Sequence, residues 1–363
     1  MSVDEDTLAA YVLASTARLV EDGAGRFRIR TGVWNFEEAV IDVSAESLAV
    51  AATVTAALRA AAAGPVRVAD HLGPELLPVE SANIKRLFGD LAKAGMIVPA
   101  RDRNSQDAVT AALLGRLVSP FPGDGEPPNG DVAFFSDSAA AIAQAEHLAA
   151  GMRLQLVPLA PATVERLSTA DLTSRIDGLA TEQAVADLVP VLTSSAALVT
   201  CLQRPSLPLL RNINRVIEGS DVPWVCAFID GPFVSVVGMK SPRTGCFECF
   251  EQRALARLED HVSYHDFARS SVGAAAPRAA DAPMMSLLTT MALTEGYLHA
   301  AVKVSRLSGR TLSVHLPTLE IQAQDLLRMP GCPACGKVSR ERAREINFNS
   351  RAVLDRIVAG VLQ

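Results

Sequence analysis

The sequence lacks an apolar run of the roughly 20 residues that a membrane-spanning helix needs, and it lacks the basic, apolar start of a secretory signal. Its first residues include Asp4, Glu5 and Asp6 instead. Hydrophobic residues make up 49% of the 363 positions and charged residues 20%, which supplies an ample core. We therefore expect a soluble cytoplasmic protein without membrane contacts, long enough for a small domain and a large one.

An excess of positive charge is also missing. The net charge is -6, and residues 1–100 carry nine Lys or Arg against thirteen Asp or Glu. A nucleic acid is held by a positive field, which this chain does not provide. Nucleic acid is therefore not expected as a partner.

Cysteine is scarce, but four of the six cysteines form two C-x-x-C pairs, Cys246 with Cys249 and Cys332 with Cys335. Two intervening residues let both thiolates turn onto one metal ion, and two such pairs complete a closed tetrahedral shell. The pattern predicts one structural Zn²⁺ per chain, which fastens distant segments together and does not catalyse. Redox-active dithiols are the alternative that the spacing leaves open.

The other two cysteines, Cys201 and Cys226, lie in apolar stretches that are typical of buried strands. A thiol in such a place is an ordinary apolar group, and we do not expect a nucleophile at either position.

Residues 1–100 have the pattern of a winged-helix domain, in which short strands accompany three helices. The predicted strands are 26–30, 33–36 and 38–44. The predicted helices are, in chain order, 45–63, a second that starts at Val66, and a third at 81–94. An exposed strand edge beside the third helix could accept an extended peptide as an added strand. Residues 101–130, rich in Pro and Gly towards their end, are predicted to be a linker.

Residues 131–363 are predicted to form an α/β domain. Extended apolar stretches at 132–136 and 153–159 enclose a helical stretch at 138–151. Further strands are predicted at 196–202, 224–229 and 233–239, with a helix at 207–219 between the first two. This β-α-β rhythm is typical of a mainly parallel sheet that is covered by helices.

The second half of the chain resembles ThiF-like domains, which are related to ubiquitin-activating enzymes. The resemblance is carried by the segments 197–201, Arg211 to Asn214, 222–227, 231–238, Gly245 to Cys249, and Gly331 to Gly336. Together with the winged-helix start, the chain resembles the ThiF-like partner proteins of YcaO cyclodehydratases in the biosynthesis of thiazole- and oxazole-modified peptides. Their N-terminal part is a RiPP recognition element.

That resemblance implies a function in peptide modification, such as the biosynthesis of a thiopeptide or a bacteriocin. The N-terminal part would capture the leader of a ribosomal precursor peptide as an extra strand. A separate YcaO protein would then spend ATP to convert Cys, Ser or Thr residues into azolines. A homodimer is compatible with the same resemblance.

The chain departs from the adenylating members of this superfamily at their glycine-rich G-x-G-x-x-G turn. Absent side chains in that turn let the backbone approach phosphate. Here the predicted strand exit, residues 132–141, contains no glycine, and residues 153–159 contain no acidic residue for a ribose. We therefore expect a degenerate Rossmann-like domain that binds no ATP.

The leader peptide is expected to pair with an edge strand near residues 40–43 and to lie against the third helix. Edge N–H groups, including that of Ile41, would supply affinity, and basic residues of the helix would meet acidic leader residues. The predicted peptide-binding residues are Val40, Ile41, Asp42, Val43, Lys85, Arg86 and Lys93.

Two other functions remain open. One is an adenylating enzyme that acts on a peptide or a carrier protein, and the other is a zinc-containing transcriptional regulator. His261 and His265 could belong to a second polar site, and residues 269–283 could contact the partner enzyme. Arg211, Asn212 and Asn214 are either remnants of a substrate site or part of a helix face that points to solvent.

Overall fold

The structure is a computed structural model that describes residues 10–14, 17–23, 25–31, 33, 37–100, 113, 130–173, 178–260, 262–264 and 281–336. The chain divides into two compact units, the N-terminal unit Met1–Gly123 and the C-terminal unit Asp124–Gln363.

In the part of the N-terminal unit that the structure describes, short strands combine with helices and a 3₁₀ turn. Its elements are β1 (Ala10–Leu13), β2 (Ala17–Glu21), β3 (Arg26–Thr31), β4 (Glu37–Asp42), α1 (Leu48–Ala63), β5 (Val66–Arg67), the 3₁₀ turn Val68–His71, α2 (Pro78–Lys93) and β6 (Ile97–Pro99). The strands form two antiparallel sheets, with orders β2-β3-β4 and β5-β1-β6.

Alternation along β3 sets the two faces of the β2-β3-β4 sheet. Phe27 and Ile29 are buried, while Arg26, Arg28 and Arg30 point to the other face. The buried face packs against α1 and α2 in one apolar core. The helices start at recognisable signals, since the Ser47 hydroxyl accepts from the Val50 N–H and Glu80 accepts from the Leu77 N–H.

One sequence prediction for this unit is wrong, and most of another lies outside the described residues. The chain from Val66 forms a strand paired with β1 and a single 3₁₀ turn instead of a second α-helix, because pairing of Val66 with Tyr11 overrides a weak helical pattern. Val33 lies in a bend and residues 34–36 are outside the described residues, while β2 supplies the third strand of the sheet.

The C-terminal unit is built on one seven-stranded mixed sheet of order β13-β12-β11-β10-β9-β7-β8. Its elements are β7 (Val132–Ser136), α3 (Ala139–Met152), β8 (Leu156–Pro158), α4 (Pro161–Thr169), α5 (Gly178–Thr193), β9 (Ala197–Leu202), α6 (Leu207–Ile217), β10 (Trp224–Asp230), β11 (Phe233–Met239), α7 (Phe247–Leu255), α8 (Ala282–Val302), β12 (Arg310–His315) and β13 (Glu320–Asp325). Strands β7 to β10 are parallel to one another, and β11, β12 and β13 continue the sheet with antiparallel pairing. The α/β prediction is confirmed at this level.

Helices cover both faces of this sheet. Leu198 of β9 packs in the core that includes α6, while the next residue, Val199, faces α8. A Cβ atom at Gly296 of α8 would come within 2.5 Å of Val199 Cγ2, so glycine permits this close approach of helix and strand. Among the described helices, none combines the length and the apolar character that crossing a membrane requires.

Candidate functional site

The four cysteines of the two C-x-x-C pairs meet in one buried cluster. Cys246 precedes α7 and Cys249 lies in its first turn, whereas Cys332 and Cys335 lie in the turns after β13. The Sγ separations are 3.8 Å for Cys246 to Cys249, 3.7 Å for Cys246 to Cys332 and 3.4 Å for Cys249 to Cys335. A regular tetrahedron with Zn–S bonds of about 2.3 Å has edges of about 3.8 Å, so the cluster fits a single metal ion of that size.

The backbone around the cluster is arranged to hold thiolates. The Met329 N–H donates to Cys249 Sγ at 3.4 Å, and the Cys332 N–H donates to the Met329 carbonyl at 3.1 Å. A Cβ atom at Gly336 would lie 2.4 Å from the Cys332 carbonyl oxygen, so only glycine fits in this tight turn. Such contacts orient ligands and balance their charge in metal sites. The four residues could therefore hold a metal ion, and its identity as zinc remains a prediction.

Asn214 of α6 fastens the first C-x-x-C pair from outside the cluster. Its Oδ1 accepts the Phe247 N–H at 2.9 Å, and its side chain is 2% exposed. The ring of Phe247 packs against Trp224 with 5.8 Å between the centroids. The Gly245 N–H donates to the Leu326 carbonyl at 3.1 Å, which ties the two C-x-x-C segments together even without a metal.

Arg211 and Asn212 also have structural partners, so the prediction of a solvent-facing helix face is wrong. Asn212 accepts the Leu172 N–H at 3.1 Å and donates to the Leu167 carbonyl at 2.8 Å. Arg211 pairs with the buried carboxylate of Glu251 on α7 at 2.7 Å. The three polar residues thus bind α6 to its neighbours. The sequence signal was present but ambiguous, because polar side chains on an amphipathic helix are more often solvated.

A carboxylate pair lies beside the cluster on α7. Glu251 also accepts from the Tyr264 hydroxyl at 2.6 Å. The hydrogen bonds that Arg211 donates to Glu251 raise the pKa of Arg211, and burial together with the charge of Glu251 raises the pKa of Glu248 to about 7. His261 and His265, proposed for a second polar site, are outside the described residues.

Asn214→Ala is expected to lower both the stability of the protein and the affinity of the cysteine cluster for zinc, although Asn214 is not a ligand. The Phe247 N–H would lose its acceptor in a buried position, which costs about 1–3 kcal/mol of unfolding free energy, and zinc affinity should fall about tenfold. Urea unfolding and competition with a chromogenic chelator measure the two effects. Asn83→Ala, at an exposed amide that accepts from Arg86, is the matched control and should change neither. Unchanged zinc affinity in Asn214→Ala would contradict the assigned support.

Burial disfavours the thiolate form of Cys201 and Cys226. Both are fully buried in central strands, and loss of solvation raises the pKa of both thiols, that of Cys226 to about 12. A thiolate is the reactive form, so this geometry agrees with their interpretation as apolar core residues.

The predicted peptide-binding residues lie in the N-terminal unit, where β4 is an edge strand of the described sheet. The Val43 N–H donates to the Gly25 carbonyl. Because backbone N–H groups alternate in direction along a strand, the N–H of Ile41, two residues earlier, also points towards β3. The expectation of an edge N–H at Ile41 is therefore wrong. Val40 and Asp42 direct their backbone groups to the open edge.

The side chains of these residues divide between core and solvent. Ile41 and Val43 are buried in the same core as the inner face of α2, whereas Val40 and Asp42 are exposed. Lys85, Arg86 and Lys93 are all exposed on α2, where Arg86 donates to Asn83 and Lys93 pairs with Asp90. Ile41 and Val43 consequently have no side chain available for a peptide.

The carboxyl ends of β7 and β9 form the crevice where open α/β sheets bind ligands, since the chain order reverses between these two strands. Asp137 follows β7 and accepts the Gln203 N–H at 2.7 Å and the Arg204 N–H at 3.0 Å. The Ser136 hydroxyl donates to the Cys201 carbonyl at 2.6 Å and accepts the Ser138 N–H at 3.1 Å. This arrangement disfavours a nucleotide phosphate, because the two backbone amides at this edge of the sheet already donate to a carboxylate.

No family model matches the chain, and no curated protein matches it in sequence. Solved structures do. A heterocyclase in complex with substrate and cofactor has a TM-score of 0.60 at 14% identity and covers 90% of this chain, and the heterocyclase TruD has a TM-score of 0.60 at 14% identity and covers 92%. This chain spans only 39% and 43% of the lengths of those two proteins.

A third match has the length of this chain. Escherichia coli MccB with MccA-N7isoASN has a TM-score of 0.51 at 13% identity, and the match covers 90% of this chain and 100% of MccB. Identities this low show the fold alone. The chain therefore has a mixed α/β fold like that of these proteins.

Proposed function

We propose that this chain binds the leader of a ribosomal precursor peptide and presents it to a separate YcaO cyclodehydratase, which forms thiazolines or oxazolines in the core of the peptide. The observation that carries the proposal is the likeness to two heterocyclases, because it extends over nine tenths of this chain and so includes both units.

The proposal divides the labour between two proteins. The chain spans about two fifths of the heterocyclase length, and we assign the ATP-dependent chemistry to the YcaO partner. The Asp137 carboxylate in the crevice supports this division, since it disfavours a nucleotide on this chain. The cysteine cluster would hold one structural Zn²⁺, which has four thiolate ligands and no position for a substrate.

The chain would consist of a winged-helix-type domain at residues 1–100, a linker at 101–130 and a ThiF-like domain at 131–363. The first of these domains would be the recognition element. An added strand would bond to the open backbone groups of Val40 and Asp42. Among the basic residues on α2, we expect Arg86 to contact acidic leader residues most strongly, because a guanidinium can donate two parallel hydrogen bonds to one carboxylate.

The purified chain alone is expected neither to hydrolyse ATP nor to exchange pyrophosphate into it. When it is added to its YcaO partner and the full-length precursor, heterocycle formation should accelerate by at least about tenfold, because binding raises the effective concentration of substrate at the partner's active site. Mass spectrometry follows the loss of one water per ring. A leaderless precursor is the control, and its rate should not change.

The second candidate is an adenylating enzyme. It is favoured by the likeness to MccB, of which one structure contains ATP and matches with a TM-score of 0.51 over 90% of this chain. Pyrophosphate exchange into ATP by the isolated chain in the presence of precursor would establish this function and remove the first proposal.

A further inference from the structure

The crevice at the carboxyl ends of β7 and β9 already contains an anion, the side chain of Asp137. Its two oxygens accept from consecutive backbone amides, Gln203 N–H at 2.7 Å and Arg204 N–H at 3.0 Å. Neighbouring N–H groups that converge on one negative charge are the backbone geometry of phosphate sites. In this chain a carboxylate from another segment, 66 and 67 residues earlier, satisfies both groups.

The surrounding groups are committed as well. The Ser138 N–H, at the start of α3, donates to the Ser136 hydroxyl, which in turn donates to the Cys201 carbonyl across the crevice. The side-chain amide of Gln203 donates to the carboxylate of Asp281, just before α8. Two carboxylates, those of Asp137 and Asp281, therefore accept from groups of Gln203 at this edge, and their negative charge would repel a phosphate.

We propose that Asp137 is an internal anion that fills the phosphate position of this fold and by which the chain rejects nucleotides and other phosphate ligands. This goes beyond the proposed function and rests on it only in explaining why ATP is left to the partner. The hydrogen bonds hold the loop between β9 and α6 in the conformation that binds an anion, so removal of the carboxylate should uncover the site.

The test uses the full chain with inorganic pyrophosphate and, separately, with ATP. Isothermal titration calorimetry at constant ionic strength should show no binding to the unsubstituted protein up to about 10 mM. Asp137→Gly frees both amides and should bind pyrophosphate at least about tenfold more tightly. Asp137→Asn removes the charge but keeps one acceptor, so its affinity should be intermediate.

Asp230→Asn is the matched control, because Asp230 ends β10 at the same edge of the sheet and loses the same charge. It should behave as the unsubstituted protein. Zinc content and circular dichroism establish that each variant is folded, and Asp137→Asn preserves the turn should the glycine variant fail to fold.

Pyrophosphate binding by the unsubstituted chain as tight as that by Asp137→Gly overturns the inference, and so does the absence of any gain in both variants. These outcomes are separate from the proposed function, because leader binding is measured without pyrophosphate. Failure of the unsubstituted chain to bind a leader would remove the proposed function and leave the assignment of Asp137 intact.

Discussion

The Cys332→Ser variant is expected to bind no zinc, and its C-terminal unit is expected no longer to unfold in one cooperative transition. Cys332 Sγ lies 3.7 Å from Cys246 Sγ in a cluster whose four residues are at most 1% exposed. Structural zinc binds with about 10–16 kcal/mol in small zinc domains, and binding energy at such a site is folding energy. A serine hydroxyl is a poor zinc ligand, and the three thiolates left behind would repel one another in a buried place.

The measurements are zinc content by plasma mass spectrometry and the melting profile by calorimetry. The parent protein should carry about one zinc per chain, and the variant should carry little and melt at least about 10 °C lower. Cys226→Ala is the matched control, since it removes a buried sulfur away from the cluster and should cost less than about 2 kcal/mol while keeping the metal. A zinc-free parent, or a Cys332→Ser variant as stable as the parent, would contradict the assignment.

Val40→Pro combined with Arg86→Glu is expected to abolish leader binding and to leave the cysteine cluster intact. Proline at Val40 removes an N–H that points away from β3, so the existing sheet keeps its hydrogen bonds while an added strand loses one and meets the ring. Reversal of the exposed Arg86 charge repels acidic leader residues. The two effects together should cost about 2–3 kcal/mol, or at least about thirtyfold in affinity.

Fluorescence polarisation with the labelled leader of a candidate precursor peptide, chosen because the parent chain binds it, measures the loss. Val40→Ala keeps the N–H and is the matched control, so it should bind within about threefold of the parent. The contribution of Arg86 should shrink at high salt, whereas that of Val40 should not. Full-strength binding by the double variant would place the leader elsewhere on the molecule.

Regular apolar patterns predicted strands β7 to β11 of the C-terminal sheet, whereas β12 and β13 were not predicted. Phe233–Met239 has the predicted bounds, and Val132–Ser136 and Ala197–Leu202 differ from the prediction by at most one residue. These strands are buried on both faces along most of their length, so their apolar composition and their tertiary environment agree. The short segment from Val66 failed for the opposite reason, since its pairing with Tyr11 depends on a strand more than fifty residues earlier.

The sequence by itself determined which four residues could share a metal, because the C-x-x-C spacing brings two thiolates together locally and only two such pairs exist. The sequence also shows that residues 132–141 lack the glycines of a phosphate-binding turn. The tertiary structure alone decided that Asn214 supports the cluster, that Asp137 occupies the crevice and that Val40, not Ile41, presents an N–H to the edge of β4. These three properties depend on which distant backbone group a side chain or an amide meets, and residue type and periodicity do not encode that pairing.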